Sequence, residues 1–127
     1  MVITFSYCYN KISYIARAFC YSGCGTGRYL GISDKALVIG AERSKRFAEI
    51  ARDRKLEVVV CDNIALPYRA NCLDGIISVG VIHHFASVKR RLTALREMAR
   101  VLLPGGRMLV CVWAVEQSER KVRKIVF

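Results

Sequence analysis

The sequence predicts an α/β fold of the Rossmann-like class, with a mainly parallel sheet of about five strands and helices on both faces. Short, nearly continuous apolar runs alternate with segments of helical periodicity, which is the pattern of strands covered on both sides. The first apolar run leads directly into a glycine-rich turn, Gly23-Cys24-Gly25-Thr26-Gly27. Sheets of this kind bind ligands where their strands end, so this turn marks one side of a candidate site.

The elements follow from the apolar runs and their periodicity. Strands are predicted at 17–22, 36–41, 57–61, 73–79 and 108–114. Helices are predicted at 26–30, around 47–51 and at 88–103. Phe47, Ile50 and Ala51 share one face of the second helix, and Pro104 begins the P-G-G run that ends the third.

At 127 residues the chain has room for one domain. We expect no firm element in residues 1–16, a core over 17–117 and a basic C-terminal tail over 118–127. No apolar run reaches the roughly 18 residues of a membrane span, and the N-terminus lacks the order of a secretory signal. We therefore expect a soluble protein of the cytoplasm, with the nucleus as a second location.

A net charge of +11 is large for this length and comes from clusters of Lys and Arg. The clusters lie at 43–46, 52–55, 89–91 and 120–124. Such a surface attracts polyanions and speeds encounters with nucleic acid. Any single cluster is better explained as the solvated face of a helix. Together, the clusters favour an RNA or DNA partner.

The six cysteines are scattered, with no C-x-x-C pair and no histidine at zinc-finger spacing. Cys61 and Cys111 stand in valine-rich runs, where a thiol behaves as a small buried apolar group. We therefore expect reduced, structural thiols and no metal site.

Segments that are distant in sequence end at the same edge of the predicted sheet. They are the glycine turn at 23–27, Glu42, Asp62 and the run 78–84. Glu42 could accept hydrogen bonds from a ribose diol, or it could cap the helix that starts at Arg43. Asp62 and the backbone of Asn63 could read an adenine, or Asp62 could form an Asx-turn.

The glycine turn is also informative through what it lacks. No lysine follows the glycines, which excludes a phosphate-binding loop of the nucleotide triphosphatase kind. The spacing is not G-x-G-x-x-G, so NAD is a less suitable ligand than S-adenosylmethionine. S-adenosylmethionine is therefore the expected ligand of this turn.

Longer motifs are G-C-G-T-G-R-Y-L at 23–30, V-C-D-N at 60–63, I-I-S-V-G-V-I-H-H-F at 76–85, a segment ending in P-G-G at 90–106, and V-W-A-V-E-Q at 112–117. Together they resemble the tRNA wobble-uridine carboxymethyl methyltransferases. That family includes the yeast tRNA methyltransferase of this type, the methyltransferase domain of an AlkB-homologue protein and its animal paralogue. The I-H-H-F and V-W-A-x-E-Q runs are the discriminating pieces.

The resemblance implies a class I S-adenosylmethionine-dependent core that methylates the carboxylate of 5-carboxymethyluridine at the tRNA wobble position. The cofactor-binding residues would be Gly23, Cys24, Gly25, Gly27, Glu42, Asp62, Asn63, Ser78 and Val79. The catalytic residues would be His83 and His84, one of them orienting the target uracil or its carboxylate. The RNA-binding residues would be Arg28, Lys89, Arg90 and Arg91, and no metal is implied.

The resemblance also implies a partner, because several family members pair the edge of their sheet with a small zinc-binding activator protein, here at 57–61. Tyr21 stands where the family carries an acidic residue, and a lost charged hydrogen bond costs about 1.5–3 kcal/mol of donor binding. Both ends are shorter than in the family, so we expect a truncated core. The alternative is a catalytically inactive paralogue that acts as an RNA- or protein-binding module.

Overall fold

The computed structural model of the protein describes residues 17–32, 36–112 and 124–126. The strands are β1 (Ala18–Ser22), β2 (Leu37–Glu42), β3 (Val58–Val60), β4 (Leu73–Val79), β5 (Leu102–Cys111) and β6 (Lys124–Val126). The helices are α1 (Lys45–Asp53) and α2 (Val88–Val101), with short 3₁₀ helices at Leu30–Ile32 and Ile82–His84. The predicted α/β class with a mainly parallel sheet is confirmed.

The sheet has the order β3-β2-β1-β4-β5-β6. All neighbours are parallel except β6, which is antiparallel to β5. β3 lies at an edge, as the resemblance implies. β6 lies within 118–127, for which the sequence predicts no element, because a three-residue strand depends on its neighbour more than on its own composition.

β5 starts earlier than the sequence predicts, directly where α2 ends. Its register shifts ahead of Gly75, which pairs with Arg107, so the P-G-G run at 104–106 bulges from the ladder. Gly105 has a φ of 81°, in the left-handed region that glycine adopts readily. The run therefore lies within β5, and α2 already ends at Val101, ahead of it. Residues 113 and 114 of the predicted strand lie outside the described residues.

Alternate side chains of the central strands pack against opposite helices. On the α1 side, Phe19 and Tyr21 belong to the cluster that contains Ala48. On the α2 side, Cys20 belongs to the cluster that contains Met98. Phe19, Cys20, Ala48 and Met98 are fully buried. The sheet is thus covered on both faces, as its apolar strands require.

The buried residues of α1 are only partly those of the apolar face that the sequence predicts. Ala48 and Ala51 are fully buried, whereas Phe47 and Ile50 are 47% and 39% exposed. A Cβ on Gly27 would lie 3.1 Å from the Cβ of Ala51, so the helix packs too closely against the glycine turn for a large side chain. Of the three residues predicted to share one face of this helix, only Ala51 is therefore buried.

The other helical predictions also shift. α2 buries Ala94, Met98 and Val101, while Leu92 is 44% exposed. The helix predicted at 26–30 is instead a series of turns, since Gly27 has a φ of 80° that an α-helix does not accommodate. No helix in the described part of the chain is long and apolar enough to cross a membrane.

The loop between β3 and β4 is fastened to α2 by Arg100. Its Nη1 donates to the Tyr68 carbonyl at 2.9 Å and its Nη2 to the Leu66 carbonyl at 3.1 Å. Glu97 holds the guanidinium through Nε–Oε1 at 2.8 Å and accepts the Leu66 N–H at 3.0 Å. The hydrogen bond from Arg100 lowers the pKa of Glu97. One ion pair thus fixes the loop that leads out of β3.

Replacing Arg100 by methionine keeps most of the side-chain length and removes every donor to this loop. We expect Arg100→Met to lower the free energy of unfolding by more than Arg96→Met does, because only Arg100 makes charged hydrogen bonds to the Leu66 and Tyr68 carbonyls. Urea denaturation at neutral pH measures the loss. Arg96→Met, at an exposed position of the same helix, is the matched control and should be near neutral.

The difference in the free energy of unfolding between Arg100→Met and the wild type should depend on pH. Because the folded-state pKa of Glu97 is lowered, its ionised form stabilises the protein above the ordinary Glu range, and this contribution is lost as the pH falls through the folded pKa. The gap between Arg100→Met and the wild type should therefore narrow in acid. Equal losses in Arg100→Met and Arg96→Met would contradict the assignment.

Candidate functional site

The carboxyl ends of β1 to β4 meet at a cleft of about 580 Å³. It is lined by Gly23, Gly25, Glu42, Arg43, Ser44, Phe47, Asp62, Asn63, Val79, Gly80, Val81, His84 and Phe85. This volume falls in the range of small-molecule sites. The segments that the sequence predicts to converge do so in the structure.

The glycine turn forms one wall of the cleft. Gly23 has a φ of 70°, and a Cβ there would overlap the Cγ2 of Val81. Gly25 has a φ of 56°, but a Cβ there would meet no atom within 4 Å. Gly23 is therefore required by close packing, whereas Gly25 leaves open space on the side where a ligand would lie.

Glu42 links this turn to the start of α1. Its Oε2 accepts the N–H of Gly25 at 2.8 Å, and its Oε1 accepts the N–H of Ser44 at 2.8 Å. The helix begins at Lys45, and its cap is the Ser44 hydroxyl, so the predicted alternative of Glu42 as the helix cap is wrong. Each carboxylate oxygen keeps a further lone pair for a ligand donor.

Asp62 has the Asx-turn that the sequence offers as one alternative, since its Oδ1 accepts the N–H of Ile64 at 3.2 Å. It also lines the cleft. Its Oδ2 lies 3.8 Å from the Nε of Arg43 and 4.0 Å from an Nη of Arg90. Both arginines are largely exposed, so each pair contributes little to stability but places positive charge at the cleft mouth.

Asn63 is buried, and its side chain is held by a hydrogen bond from the end of β1. The fully buried hydroxyl of Ser22 donates to its Oδ1 at 2.8 Å. This bond joins the end of β1 to the loop after β3 and fixes the Asn63 side chain in the cleft wall.

The end of β4 supplies the opposite wall. His84 and Phe85 line the cleft, and the His83 and His84 rings lie 4.4 Å apart between centroids. His83 is partly buried and does not line the cleft. Its burial, and secondly the charge of His84, lower its pKa, so His83 is neutral at neutral pH.

Of the predicted cofactor and catalytic residues, Cys24, Gly27, Ser78 and His83 are not among the lining residues. Cys24 packs against Gly40, where an added Cβ would come 2.6 Å from its sulfur. Gly27 faces α1 and the side chain of Leu56. Ser78 is fully buried in β4. Their side-chain positions serve packing, which residue type alone does not distinguish from ligand contact.

Three thiols of the sheet and its loops, those of Cys20, Cys24 and Cys61, have low reactivity at neutral pH. Burial raises the pKa of Cys20 to about 12, of Cys24 to about 12 and of Cys61 to about 11. They are protonated at neutral pH and are therefore poor nucleophiles. Within the described ranges, no group of His, Cys, Asp and Glu side chains is arranged to hold a metal ion.

The predicted RNA-binding residues are all exposed. Lys89, Arg90 and Arg91 lie in the first turn of α2, directly after the segment that carries His84. Arg91 donates through Nε to the Phe85 carbonyl at 2.9 Å, which ties this turn to the cleft wall. Arg28 lies apart from them, with its guanidinium carbon 5.6 Å from the centre of the Tyr29 ring.

Six lining residues were not among the predicted site residues: Arg43, Ser44, Phe47, Gly80, Val81 and Phe85. Arg43 and Ser44 directly follow Glu42, so their position after a strand end is a signal that could have identified them. Phe47 is predicted only as a member of one helical face, and it lines the cleft while Ala48 and Ala51 of the same helix are buried. Gly80 and Val81 adjoin the predicted Val79.

Comparison with known families gives this cleft a context. The methyltransferase domain family matches residues 21–110, which is more than half of the chain. The chain belongs to this family. The matched region begins in β1 and ends in β5, so it contains every cleft-lining residue.

Named relatives point to tRNA methyltransferases. A Mus musculus protein named "Probable tRNA methyltransferase 9B" is 50% identical over 102 residues, which is 80% of this chain and 23% of that protein. The tRNA (carboxymethyluridine(34)-5-O)-methyltransferase of Mus musculus is 50% identical over 96 residues, or 76% of this chain and 14% of that protein. The resemblance expected from the motifs is confirmed. The chain spans less than a quarter of the length of these two relatives.

Solved structures share the fold. A SAM-dependent methyltransferase of Thermotoga maritima is 33% identical with a TM-score of 0.64, covering 76% of this chain and 44% of that one. A methyltransferase of Haloferax volcanii, solved in complex with a methyltransferase activator, is 22% identical with a TM-score of 0.68, covering 82% of this chain and 50% of that one. The fold is therefore that of the class I methyltransferases, as the sequence predicts.

The two glycines of the turn should respond differently to the same substitution. We expect Gly23→Ala to lower the free energy of unfolding by about 1–3 kcal/mol more than Gly25→Ala, because only the first overpacks against Val81. Both also incur the cost of a positive φ, so each is the other's control. Thermal and urea unfolding of the two variants measure the difference. A Gly25→Ala variant as unstable as Gly23→Ala would contradict the open space at Gly25.

Proposed function

We propose that the cleft binds S-adenosylmethionine and that the protein methylates the carboxylate of 5-carboxymethyluridine in the tRNA anticodon loop. The observation that carries the proposal is Glu42, which joins the glycine turn to α1 opposite the wall that bears His84. A donor site and an acceptor wall thus share one cleft. The names of the relatives support tRNA as the substrate class.

The residues present fit the donor. Glu42 retains lone pairs for the two hydroxyls of a ribose, and Gly25 leaves space where a side chain would intrude. Asp62 can accept from an exocyclic amine through the lone pairs that the Asx-turn leaves unused. Phe47 and Val79 supply apolar walls for a purine ring. When bound, S-adenosylmethionine supplies an electrophilic methyl group on a good leaving group.

The protein's own share of this chemistry is modest. A carboxylate acceptor is already ionised and nucleophilic, so neither a general base nor a metal is required to activate it. The cleft must hold the acceptor in line with the donor and exclude water. His84 lies in the cleft wall, where it would orient the uracil or its carboxylate, and the His83 ring lies beside it.

The basic first turn of α2 supports an RNA substrate. Lys89, Arg90 and Arg91 are exposed beside the acceptor wall, where they would bind phosphates flanking a nucleotide that enters the cleft. Arg43 adds charge at the same mouth. The chain's net charge of +11 favours this encounter.

A strand-adding activator protein is the proposed partner, and its place is β3. The support is that β3 is an outer strand of the sheet with Val60 exposed to 40%. Co-expression with a small zinc-binding activator should raise the yield of soluble protein and shift its elution to that of a complex. Unchanged solubility and elution volume would contradict this partner.

The donor site is tested by replacing Glu42 with glutamine. Glutamine can accept only one of the two backbone N–H groups and cannot accept from both hydroxyls of a ribose, so S-adenosylhomocysteine should bind about tenfold or more weaker to Glu42→Gln. Calorimetric titration measures the affinity. Transfer of labelled methyl groups to an anticodon stem-loop bearing 5-carboxymethyluridine should fall with it.

Glu49→Gln is the matched control, since it removes the same charge from an exposed pair with Lys45 on α1. It should bind as the wild type does. An unmodified uridine stem-loop is the control for the acceptor and should take no methyl group. Equal affinities of Glu42→Gln and the wild type for S-adenosylhomocysteine would contradict the proposed donor site.

A second candidate is a non-catalytic RNA- or protein-binding module, which Tyr21 favours. Tyr21 is 3% exposed and stacks on Tyr29 at 6.0 Å on the α1 side, so it brings no carboxylate to the cleft where the family has one. Salt-dependent binding of stem-loops without any binding of S-adenosylhomocysteine at high micromolar concentration would favour this candidate over the enzyme.

A further inference from the structure

β3 has backbone groups on its outer side that do not pair with β2. The Cys61 N–H donates to the Glu42 carbonyl at 3.0 Å, and Glu42 lies opposite Val60 in the parallel register with β2. In such a ladder, the N–H and C=O groups of Val60 and of Val58 point away from β2. Within the described ranges, no strand pairs with that side of β3.

Arg52 covers part of this edge. It lies in the last turn of α1 and donates to the Val58 carbonyl through both Nε, at 3.1 Å, and Nη2, at 2.9 Å. The planar guanidinium therefore occupies an outward-facing acceptor of β3 with two hydrogen bonds. A charged side chain on an edge strand is a means by which proteins prevent edge-to-edge association.

The outward groups are self-complementary. If two copies met antiparallel about an axis at Val59, Val58 of one copy would exchange both backbone hydrogen bonds with Val60 of the other, and the reverse pair would do the same. The three valines also have high strand propensity and carry no charge. In the absence of an activator strand, a second copy of this chain is therefore the occupant whose backbone groups match this edge.

We propose that Arg52 keeps the protein monomeric at this edge by occupying the Val58 carbonyl that a second copy would need. Half of the backbone bonds in the antiparallel pair use that carbonyl, one from each copy. Pairing must therefore displace two guanidinium forks into solvent. The inference concerns the strand edge of the protein without an activator bound, and it is independent of the donor and the substrate.

The test is the self-association of Arg52→Met, which keeps an apolar stem of similar length and removes the donors. Sedimentation velocity over a wide range of concentrations should show a dimer whose dissociation constant is about tenfold or more below that of the wild type. Arg46→Met, at an exposed position on the same helix, removes the same charge and should behave as the wild type does.

A second substitution locates the dimer contact. Adding Val60→Lys to Arg52→Met places a charge at the exposed end of the edge and should return the protein to the wild-type monomer. Arg52→Lys, with a single ammonium in place of the fork, should associate to an intermediate extent and serves if Arg52→Met does not fold. A monomeric Arg52 variant, a dimer that also forms in Arg46→Met, or a dimer that survives Val60→Lys would overturn the proposal.

Discussion

The carboxylate of Glu42 is the contact on which the cleft depends. By accepting one N–H from Gly25 and one from Ser44, it sets the separation of the glycine turn and the first turn of α1. Both N–H groups would otherwise need water or a ligand, because neither has a strand or helix partner at that point. The same two oxygens fix the local fold and keep further lone pairs. Their structural contacts are therefore compatible with the proposed role in ligand binding.

The rest of the site is held by contacts that reach it from the far side of the loops. Ser22 fixes Asn63 from the floor of the sheet, and Arg100 fixes the chain beyond it from α2. Arg91 does the same for the wall at Phe85. The cleft walls are thus loops whose backbones are tied to regular elements, which suits a site that acts mainly by positioning.

The central strands and the converging strand ends could be predicted because they depend on local signals. An apolar run such as that of β4 has few alternatives to a buried strand. Closely spaced glycines, which here have positive φ, indicate a turn. The buried face of α1 could not be predicted, because it depends on how closely the helix approaches Gly27. Periodicity favours burying the largest apolar side chains, and here the space admits only Ala48 and Ala51. Phe47 is released to the cleft as a result.

Surface arginines were the least predictable residues. The sequence shows them only as positive charges, yet Arg52 and Arg100 each bind particular backbone carbonyls, while Arg43 and Arg90 share one carboxylate. Those carbonyls are brought near the arginines by the fold, and the residues next to each arginine in the sequence do not indicate them. Cys24 illustrates the converse: it stands in a ligand-binding motif, but its thiol fills a space against Gly40. Motif position identifies a backbone location more surely than it identifies the task of a side chain.

The low reactivity of the thiols has a practical consequence. Cys20 is fully buried and its pKa is about 12, so a thiol reagent in neutral solution can modify it only after the sheet has opened. Cys24, on the opposite face, reports the glycine turn in the same way. The rates at which such a reagent labels the two positions would therefore measure how often each side of the sheet opens, with no added probe. The labelling rates of the native cysteines would thus report local opening at the end of the sheet that carries the cleft.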